Sequence, residues 1–166
     1  MSNLTEVFKA LNQFEAEGLI ERYAIAGAMA FLFYTEPART YDLDVFVFLP
    51  PQVGLIFSIE PLYRQLRDRG YSFDAEHVMI HETPVQFLPA YNRLSEEAVR
   101  NAVIHDYDGV LVNVVDAEHL AALVYQTGGR HRLARLGGLL EEGTLDEEKL
   151  NQIMERHGLV RPPEGE

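Results

Sequence analysis

The chain opens with apolar residues that recur every three to four positions. These residues are Leu4, Val7, Phe8, Leu11 and Phe14. Such spacing puts them on one face of a helix, so we predict an amphipathic helix over residues 4–16. The pattern then changes to short runs bounded by Gly or Pro, which are typical of strands. These runs predict strands over residues 23–26 and 42–49.

The rest of the chain alternates between helical and strand-like patterns. We predict further helices over residues 28–34, 59–69, 94–103, 116–125, 130–142 and 146–157. A strand is expected over residues 110–115, and "EHVMIHETPVQFLP" predicts a hairpin that turns at Glu82-Thr83. Strands and helices mix without a strict βαβ alternation. The expected fold is therefore α+β: a mixed α/β sheet with C-terminal helices packed against it.

Length and composition predict one soluble domain. A chain of 166 residues is the size of a single domain, and 47% of it is hydrophobic, which is enough for a core. We assign residues 1–115 to the core, residues 116–160 to a C-terminal helical segment of the same domain, and residues 161–166 to a tail. The chain has no cysteine, which excludes disulfides and thiolate zinc sites. No signal peptide or membrane-spanning run is recognisable, so we expect a cytoplasmic protein without a membrane partner.

The charge balance argues against an extended nucleic-acid partner. The chain has 26 acidic and 14 basic residues, which gives a net charge of −12. A protein that grips a long phosphate backbone needs a basic surface. A small anionic ligand held by a metal and a local basic cluster is still compatible with this composition.

Two aspartates at the head of a predicted strand are the first candidate for chemistry. Asp42 and Asp44 are two residues apart in "YDLDVFVF", so their side chains point to the same face of a strand. Burying carboxylates is unfavourable unless they are paired or bind a metal. Two carboxylates on a rigid strand suit Mg²⁺ or Mn²⁺, with a phosphate supplying further ligands.

A glycine turn precedes the acid pair by fifteen positions. The predicted strand over residues 23–26 ends at Gly27, and a helix of small residues follows, beginning at Ala28. Backbone N–H groups at such a turn can bind a phosphate. Together, the turn and the acid pair would supply the two halves of a phosphoryl- or nucleotidyl-transfer site.

The joint pattern resembles the signature of the nucleotidyltransferase fold. The stretch "AGAMAFLFYTEPARTYDLDVFV" has the hydrophobic-Gly-small element, a spacer and the Asp-hydrophobic-Asp element. Arg39 and Thr40, just ahead of Asp42, resemble the Arg-x-Thr-x-Asp-x-Asp form of small bacterial abortive-infection-type nucleotidyltransferases. The resemblance implies that Gly27 and Ala28 hold the triphosphate of an NTP, that Asp42 and Asp44 hold the metal, and that Arg39 and Thr40 support them.

The third acidic residue that the resemblance implies is replaced by an amide. The strand "PVQFLP" carries Gln86 where an aspartate is expected, and a glutamine is neutral and cannot act as a base. We nevertheless expect Gln86 to lie beside the acid pair. Glu82, His77 or His81 could supply the missing ligand instead.

A basic cluster near residue 130 is the second candidate for binding. "GGRHRLAR" follows Gln126-Thr127, and its Arg130 and His131 are candidates to contact a triphosphate, since arginine binds phosphate with two hydrogen bonds. The alternative is a solvated helix start with no ligand. Tyr34 and Tyr41, on either side of the motif, could stack on a base.

These features lead to three hypotheses of different classes. The first is a metal-dependent nucleotidyltransferase that moves a nucleoside monophosphate from an NTP to the hydroxyl of an unknown acceptor, which could be a small molecule, a protein or an RNA end. The second is a catalytically degenerate domain of the same fold that binds a nucleotide or a partner protein. The third is a structural domain of a toxin–antitoxin-like pair. Gln86 favours the second hypothesis, and the acid pair favours the first.

Overall fold

A computed structural model describes residues 4–34, 42–51, 58–128, 130–141 and 145–161 of the chain. Its strands are β1 (Arg22–Ala26), β2 (Leu43–Phe48), β3 (Ser72–Asp74), β4 (His77–Ile80), β5 (Thr83–Pro89), β6 (Val103–Tyr107) and β7 (Val110–Val114). Its helices are α1 (Leu4–Ala16), α2 (Gly27–Ala30), α3 (Glu60–Asp68), α4 (Arg93–Arg100), α5 (Ala117–Thr127), α6 (Arg130–Glu141) and α7 (Glu147–Arg156). A 3₁₀ turn, Phe31–Phe33, follows α2.

The strands form one mixed sheet in the order β3-β4-β5-β2-β1-β7-β6. In its centre, β2 pairs antiparallel with β1 and parallel with β5, while β1 pairs parallel with β7. The two hairpins β4–β5 and β6–β7 extend the sheet on either side. The mixed α/β sheet that the sequence predicts is confirmed.

The two faces of β2 have different environments. Leu43, Val45 and Val47 are completely buried in the core, whereas the residues between them are only half-buried. The core face is covered by α1, which packs against β1 and β7. The other face of β2 is contacted by α4 and therefore looks toward the C-terminal half of the chain.

The C-terminal helices pack as one wall. α5 contacts α4, α6 and α7. Asp116 begins α5 as its N-cap, with the carboxylate accepting a hydrogen bond from the backbone N–H of His119, as the sequence predicts. Asn92 and Ser95 form a reciprocal capping box at the start of α4. No helix in the described ranges is both long and apolar enough to cross a lipid bilayer.

The sequence prediction misses two strands and misplaces one turn. β3 and β6 are short edge strands, and part of β6 falls within the helix predicted over residues 94–103, which actually ends at Arg100. The β4–β5 hairpin turns at His81-Glu82, where both φ angles are positive, as in a type I′ turn. The helix predicted over residues 28–34 is only a single turn, α2, followed by the 3₁₀ segment.

Candidate functional site

The acid pair lies at the start of the central strand β2. Asp42 precedes the strand with its side chain 57% exposed, and Asp44, the second strand residue, is half-buried. The alternating burial of β2 puts Asp44 on the face opposite the buried Leu43 and Val45. This is the orientation that the two-residue spacing predicts.

Gly27 is adapted to the carboxylate of Asp44. Ala26, the last residue of β1, pairs with Asp44 of β2, so the chain turns at Gly27 directly beside the acid. Gly27 has a φ of +61°, a conformation that other residues rarely adopt. A Cβ on Gly27 would collide with Oδ2 of Asp44 and lie 3.1 Å from its Cβ and Cγ. The glycine is therefore needed for both backbone conformation and space.

The single turn of α2 changes the physical role of the glycine motif. A helix macrodipole needs several aligned turns, and α2 spans only Gly27–Ala30. The helix dipole therefore adds little to phosphate binding at this turn, and the expected contact through its backbone N–H groups stays a prediction. What the structure provides instead is a close approach between a backbone turn and a carboxylate.

Gln86 lies next to Asp44 in the sheet. The parallel register of β2 and β5 pairs Asp44 with Gln86 and Leu43 with Val85. Paired residues of neighbouring strands project to the same face, so the amide of Gln86 and the carboxylate of Asp44 share one face. The sequence prediction that these two strands are neighbours is confirmed, and the row Ala26–Asp44–Gln86 crosses three strands.

His77 lies close to the acid pair. Its Nε2 is 3.7 Å from Oδ2 of Asp42, and its side chain is 20% exposed. Val78 pairs with Val85, which places His77 at the strand position beside Gln86. His81 and Glu82, which the sequence also offers as the missing ligand, form the hairpin turn. Met79 pairs with Pro84.

The side chains around Asp44 supply only some of the oxygen ligands that a hard cation needs. Asp42 and Asp44 supply two carboxylates, and Gln86 adds an amide oxygen. In the described residues no group of three or more His, Cys, Asp and Glu side chains is arranged to hold a metal. A divalent ion at the pair would thus take its remaining ligands from water and substrate phosphate, which is how Mg²⁺ is commonly bound.

A cavity of about 320 Å³ opens beside Asp44. It lies between the Asp44 face of the sheet and the helices α4 and α5. Its lining residues are Ala26, Gly27, Phe31, Asp44, Phe46, Leu88, Tyr91, Asn92, Ser95, Leu120, Leu123, Val124, Gln126 and Thr127. The expectation that C-terminal helices form one wall of a cleft is confirmed for α5.

Two crystal structures share this architecture. One is an antigenic nucleotidyltransferase-like protein from Paracoccidioides brasiliensis, with a TM-score of 0.60 and 14% identity over 93% of this chain and 86% of that one. The other is ANT(2″)-Ia in complex with adenylyl-2″-tobramycin, with a TM-score of 0.55 and 12% identity over 93% of this chain and 97% of that one. The chain has a nucleotidyltransferase-like fold. No protein-family model and no curated protein sequence matches it.

Several residues of the predicted site fall outside what the structure describes. Arg39, Thr40 and Tyr41 lie in residues 35–41, beyond the described ranges. The backbone of Arg130 and His131 forms the start of α6, but their side chains are not described.

A second acidic cluster of the nucleotidyltransferase-like domain joins three helices. The buried ring of His119 in α5 lies with Nδ1 2.8 Å from Oδ1 of Asp116 and Nε2 2.7 Å from Oε2 of Glu97 in α4. Two carboxylates facing both ring nitrogens require both nitrogens to donate, so the ring is an imidazolium. Burial alone would lower the pKa of His119, but Asp116 and Glu97 raise it. We call these three residues the helix clamp.

Cations from α7 complete the helix clamp. Arg156 donates to both oxygens of Glu97, at 2.8 and 2.9 Å, and Lys149 donates to Oδ2 of Asp116 at 3.0 Å. The Arg156 hydrogen bonds lower the pKa of Glu97 to about 2. His157 Nε2 lies 3.2 Å from Glu97 Oε2, at an angle that makes no hydrogen bond among the described residues.

Sequence reasoning missed the cavity residues between β5 and α4. Tyr91 is 78% exposed at the cavity mouth, and no periodicity marks a loop residue of this kind. The sequence offers Tyr34 for base stacking instead, but its hydroxyl donates to the carbonyl of Val115 at 2.8 Å and meets His105 Nε2 at 3.2 Å. Tyr34 therefore ties the 3₁₀ turn to β6 and the end of β7.

Proposed function

We propose that the chain is a metal-dependent nucleotidyltransferase that moves a nucleoside monophosphate from an NTP to the hydroxyl of an acceptor. The observation that carries this proposal is the row Ala26–Asp44–Gln86, which brings Asp44 and the polar residue of β5 to one face beside the Gly27 turn. The two structural neighbours support the general kind of chemistry. ANT(2″)-Ia was solved with an adenylylated compound, adenylyl-2″-tobramycin.

The residues in and beside the row have distinct roles in the proposal. Asp42 and Asp44 hold Mg²⁺ or Mn²⁺, while the backbone of Gly27 and Ala28 faces the triphosphate. The ion, when bound, neutralises charge that develops on the transferred phosphoryl group. Gln86 offers an amide that orients the acceptor by hydrogen bonds but takes no proton.

His77 is the group we propose for proton transfer. Because Gln86 is not a base, the proton of the acceptor hydroxyl needs another acceptor near the acid pair. His77 lies next to Gln86 in register and 3.7 Å from Asp42. A neutral imidazole is a suitable general base near neutral pH.

Arg39, Thr40, Arg130 and His131 supply the remaining contacts in the proposal. Arg39 and Thr40 precede the acid pair directly in sequence, and Arg130 and His131 begin α6, which packs against α5. We expect Arg130→Ala to weaken triphosphate binding by roughly 10- to 150-fold, the equivalent of a lost charged hydrogen bond. An unchanged affinity would support the alternative that Arg130 and His131 belong to a solvated helix start with no ligand.

The acceptor and the localisation are proposed from composition. The acidic charge balance favours a small molecule or a protein over bulk RNA, although an RNA end is small enough to be an acceptor as well. We propose that the protein works in the cytoplasm, where NTP and Mg²⁺ are available. We also propose that residues 1–115 form the catalytic core and residues 116–160 its helical wall.

The deciding experiment is nucleotide-dependent thermal stabilisation with and without Mg²⁺. Ligand at 100 times its Kd stabilises a protein by about 2.7 kcal/mol. We expect such a gain for wild type with Mg²⁺ and NTP, and its loss in Asp42→Asn/Asp44→Asn. The control Asp68→Asn/Asp74→Asn removes the same charge from two exposed positions on α3 and β3 and should behave like wild type. Equal stabilisation of both double variants would contradict the proposal.

A degenerate nucleotide-binding domain is the second candidate function, because Gln86 stands next to Asp44 where a third carboxylate would serve catalysis. Binding without turnover in the presence of Mg²⁺ or Mn²⁺ would favour it. If the missing carboxylate is the cause, Gln86→Asp or Gln86→Glu should create activity that the wild-type protein lacks. Product formed by the wild-type protein from labelled NTP would exclude it.

A further inference from the structure

The cavity beside Asp44 has walls that are unsuited to charge. Phe31, Phe46, Leu120 and Val124 line it from the sheet and from α5. Asp44 is the one charged side chain among its described lining residues. Such a space does not stabilise a triphosphate or a polyamine, since a buried charge needs a partner. It favours a flat, uncharged group that displaces little bound water.

The mouth of the cavity carries an exposed aromatic side chain and neutral hydrogen-bonding groups. Tyr91 is 78% exposed there, so the face of its ring is accessible to a ligand in the cavity. Gln126 and Thr127, at the end of α5, face the same opening. An amide and a hydroxyl provide both donors and acceptors, which is what the edge of a heterocyclic ring requires.

The cavity is continuous with the residues proposed to hold the phosphates. Gly27 and Asp44 belong to its lining, so a molecule with phosphates at that end extends naturally between the sheet and α5. The volume of about 320 Å³ is at the small end for ligand pockets and is suited to one ring system with a sugar.

We infer that this cavity binds the nucleobase and sugar of the nucleotide, that Tyr91 stacks on the base, and that Gln126 reads its edge. The inference rests on the proposed function, because the orientation is set by phosphates at Gly27 and Asp44. It assigns base selection to residues from the β5–α4 loop and the end of α5.

The test separates the base pocket from the phosphate site by using nucleosides. The wild-type protein is titrated in EDTA with adenosine, guanosine, cytidine and uridine, and binding is followed by NMR. Neither metal nor phosphate contributes to this signal. Base–aromatic stacking predicts that Tyr91→Ala weakens the best nucleoside roughly fivefold or more. Tyr91→Phe should retain binding, since it keeps the ring.

Two further variants sharpen the outcome. Gln126→Ala should bring the affinities of the four nucleosides closer together, because the edge contact is lost. Leu111→Ala is the control: Leu111 is an exposed apolar residue of β7 outside the cavity lining, and its variant should bind as wild type does. Unfolding midpoints should be unchanged in the Tyr91 variants, since Tyr91 is exposed.

The result distinguishes failure of this inference from failure of the proposed function. If Mg²⁺-NTP binds equally well to wild type and Tyr91→Ala while no nucleoside binds, the inference is overturned and the metal site stands. If nucleosides bind in a Tyr91-dependent way but Mg²⁺ and phosphates add no affinity, the base pocket is supported and the nucleotidyltransferase proposal fails.

Discussion

Two acidic groups in this chain differ in what surrounds them. Asp42 and Asp44 lie on one strand, at a sheet face beside a cavity, with Asp42 more than half exposed. Glu97 and Asp116 of the helix clamp each contact His119 and a cation of α7. The clamp carboxylates have their charge neutralised within the protein. We therefore expect the clamp to stabilise the fold, whereas the exposure of Asp42 and the cavity beside Asp44 are compatible with the ligand site proposed above.

The geometry of each group supports this division. The clamp joins α4, α5 and α7, which are separated in sequence, so its energy appears only when the tertiary structure forms. The strand pair lies at the start of β2, with Asp42 just before the strand, and beside a glycine that no larger residue could replace without moving Asp44. Residues selected for stability and residues selected for chemistry commonly separate in this way.

The largest effect should come from breaking the clamp. Glu97→Ala leaves His119 and Arg156 without their common acceptor, and removal of one partner from a buried ionic network costs about 3 kcal/mol. Urea unfolding would measure the loss. The matched control is Glu96→Ala on the same helix, whose ion pair with Arg100 is exposed and should contribute less than about 0.5 kcal/mol. Equal losses of unfolding free energy in Glu97→Ala and Glu96→Ala would show that the clamp contributes no more than an exposed ion pair.

The second largest loss of stability should come from a substitution of Gly27, the glycine beside Asp44. Gly27→Ala combines a left-handed backbone conformation with a collision against Asp44, and we expect a loss of about 2 kcal/mol together with weaker Mg²⁺-dependent nucleotide binding. Gly18→Ala is the control, because Gly18 has a φ of +80° with open space around the added Cβ. Gly18→Ala should lose about 1 kcal/mol and keep nucleotide binding. If both variants bind nucleotide as wild type does, Gly27 is only a turn residue.

The pH dependence of stability tests the charge of His119. Its pKa is raised in the folded protein, so its contribution is complete below the unfolded value near 6.5 and is lost as pH rises through the folded value. Glu97 and Asp116 have lowered pKa values, so their contribution is complete above about pH 4 and is lost on acidification. We expect maximal clamp stability between these limits. In His119→Gln the decline on the alkaline side should become shallower, as measured by urea midpoints from about pH 5 to 9. An unchanged slope would mean that His119 is neutral.

The smallest effect on stability should come from the strand pair. Asp42→Asn changes one atom of a side chain that is 57% exposed. We therefore expect the unfolding free energy of the metal-free protein to fall by less than about 0.5 kcal/mol. The same variant should nevertheless reduce Mg²⁺-dependent nucleotide stabilisation. A loss of more than about 1 kcal/mol in metal-free Asp42→Asn would show a structural role and erase the contrast with Glu97→Ala.

Local sequence patterns are sufficient to predict the helices and strands that bury one face. The apolar spacing over residues 4–16 predicts α1, and the alternation after Asp42 predicts β2 with its inward and outward sides. The N-cap at Asp116 is also predictable, because a side chain bonding to a backbone N–H three residues later is a local event. In the same way the orientation of Asp44 away from the core follows from the two-residue period of a strand.

Tertiary structure decided everything that depends on distant segments. The pairing of Asp44 with Gln86 requires the parallel contact of β2 and β5, and the clamp requires Glu97 to reach both His119 and Arg156. The edge strands β3 and β6 lack a strong apolar period because neither face of them is buried, each of their residues being exposed or half-buried. Tyr91 becomes a cavity residue only when α5 packs across the sheet. Periodicity reports which side of an element is buried, but what covers that side is set by long-range packing.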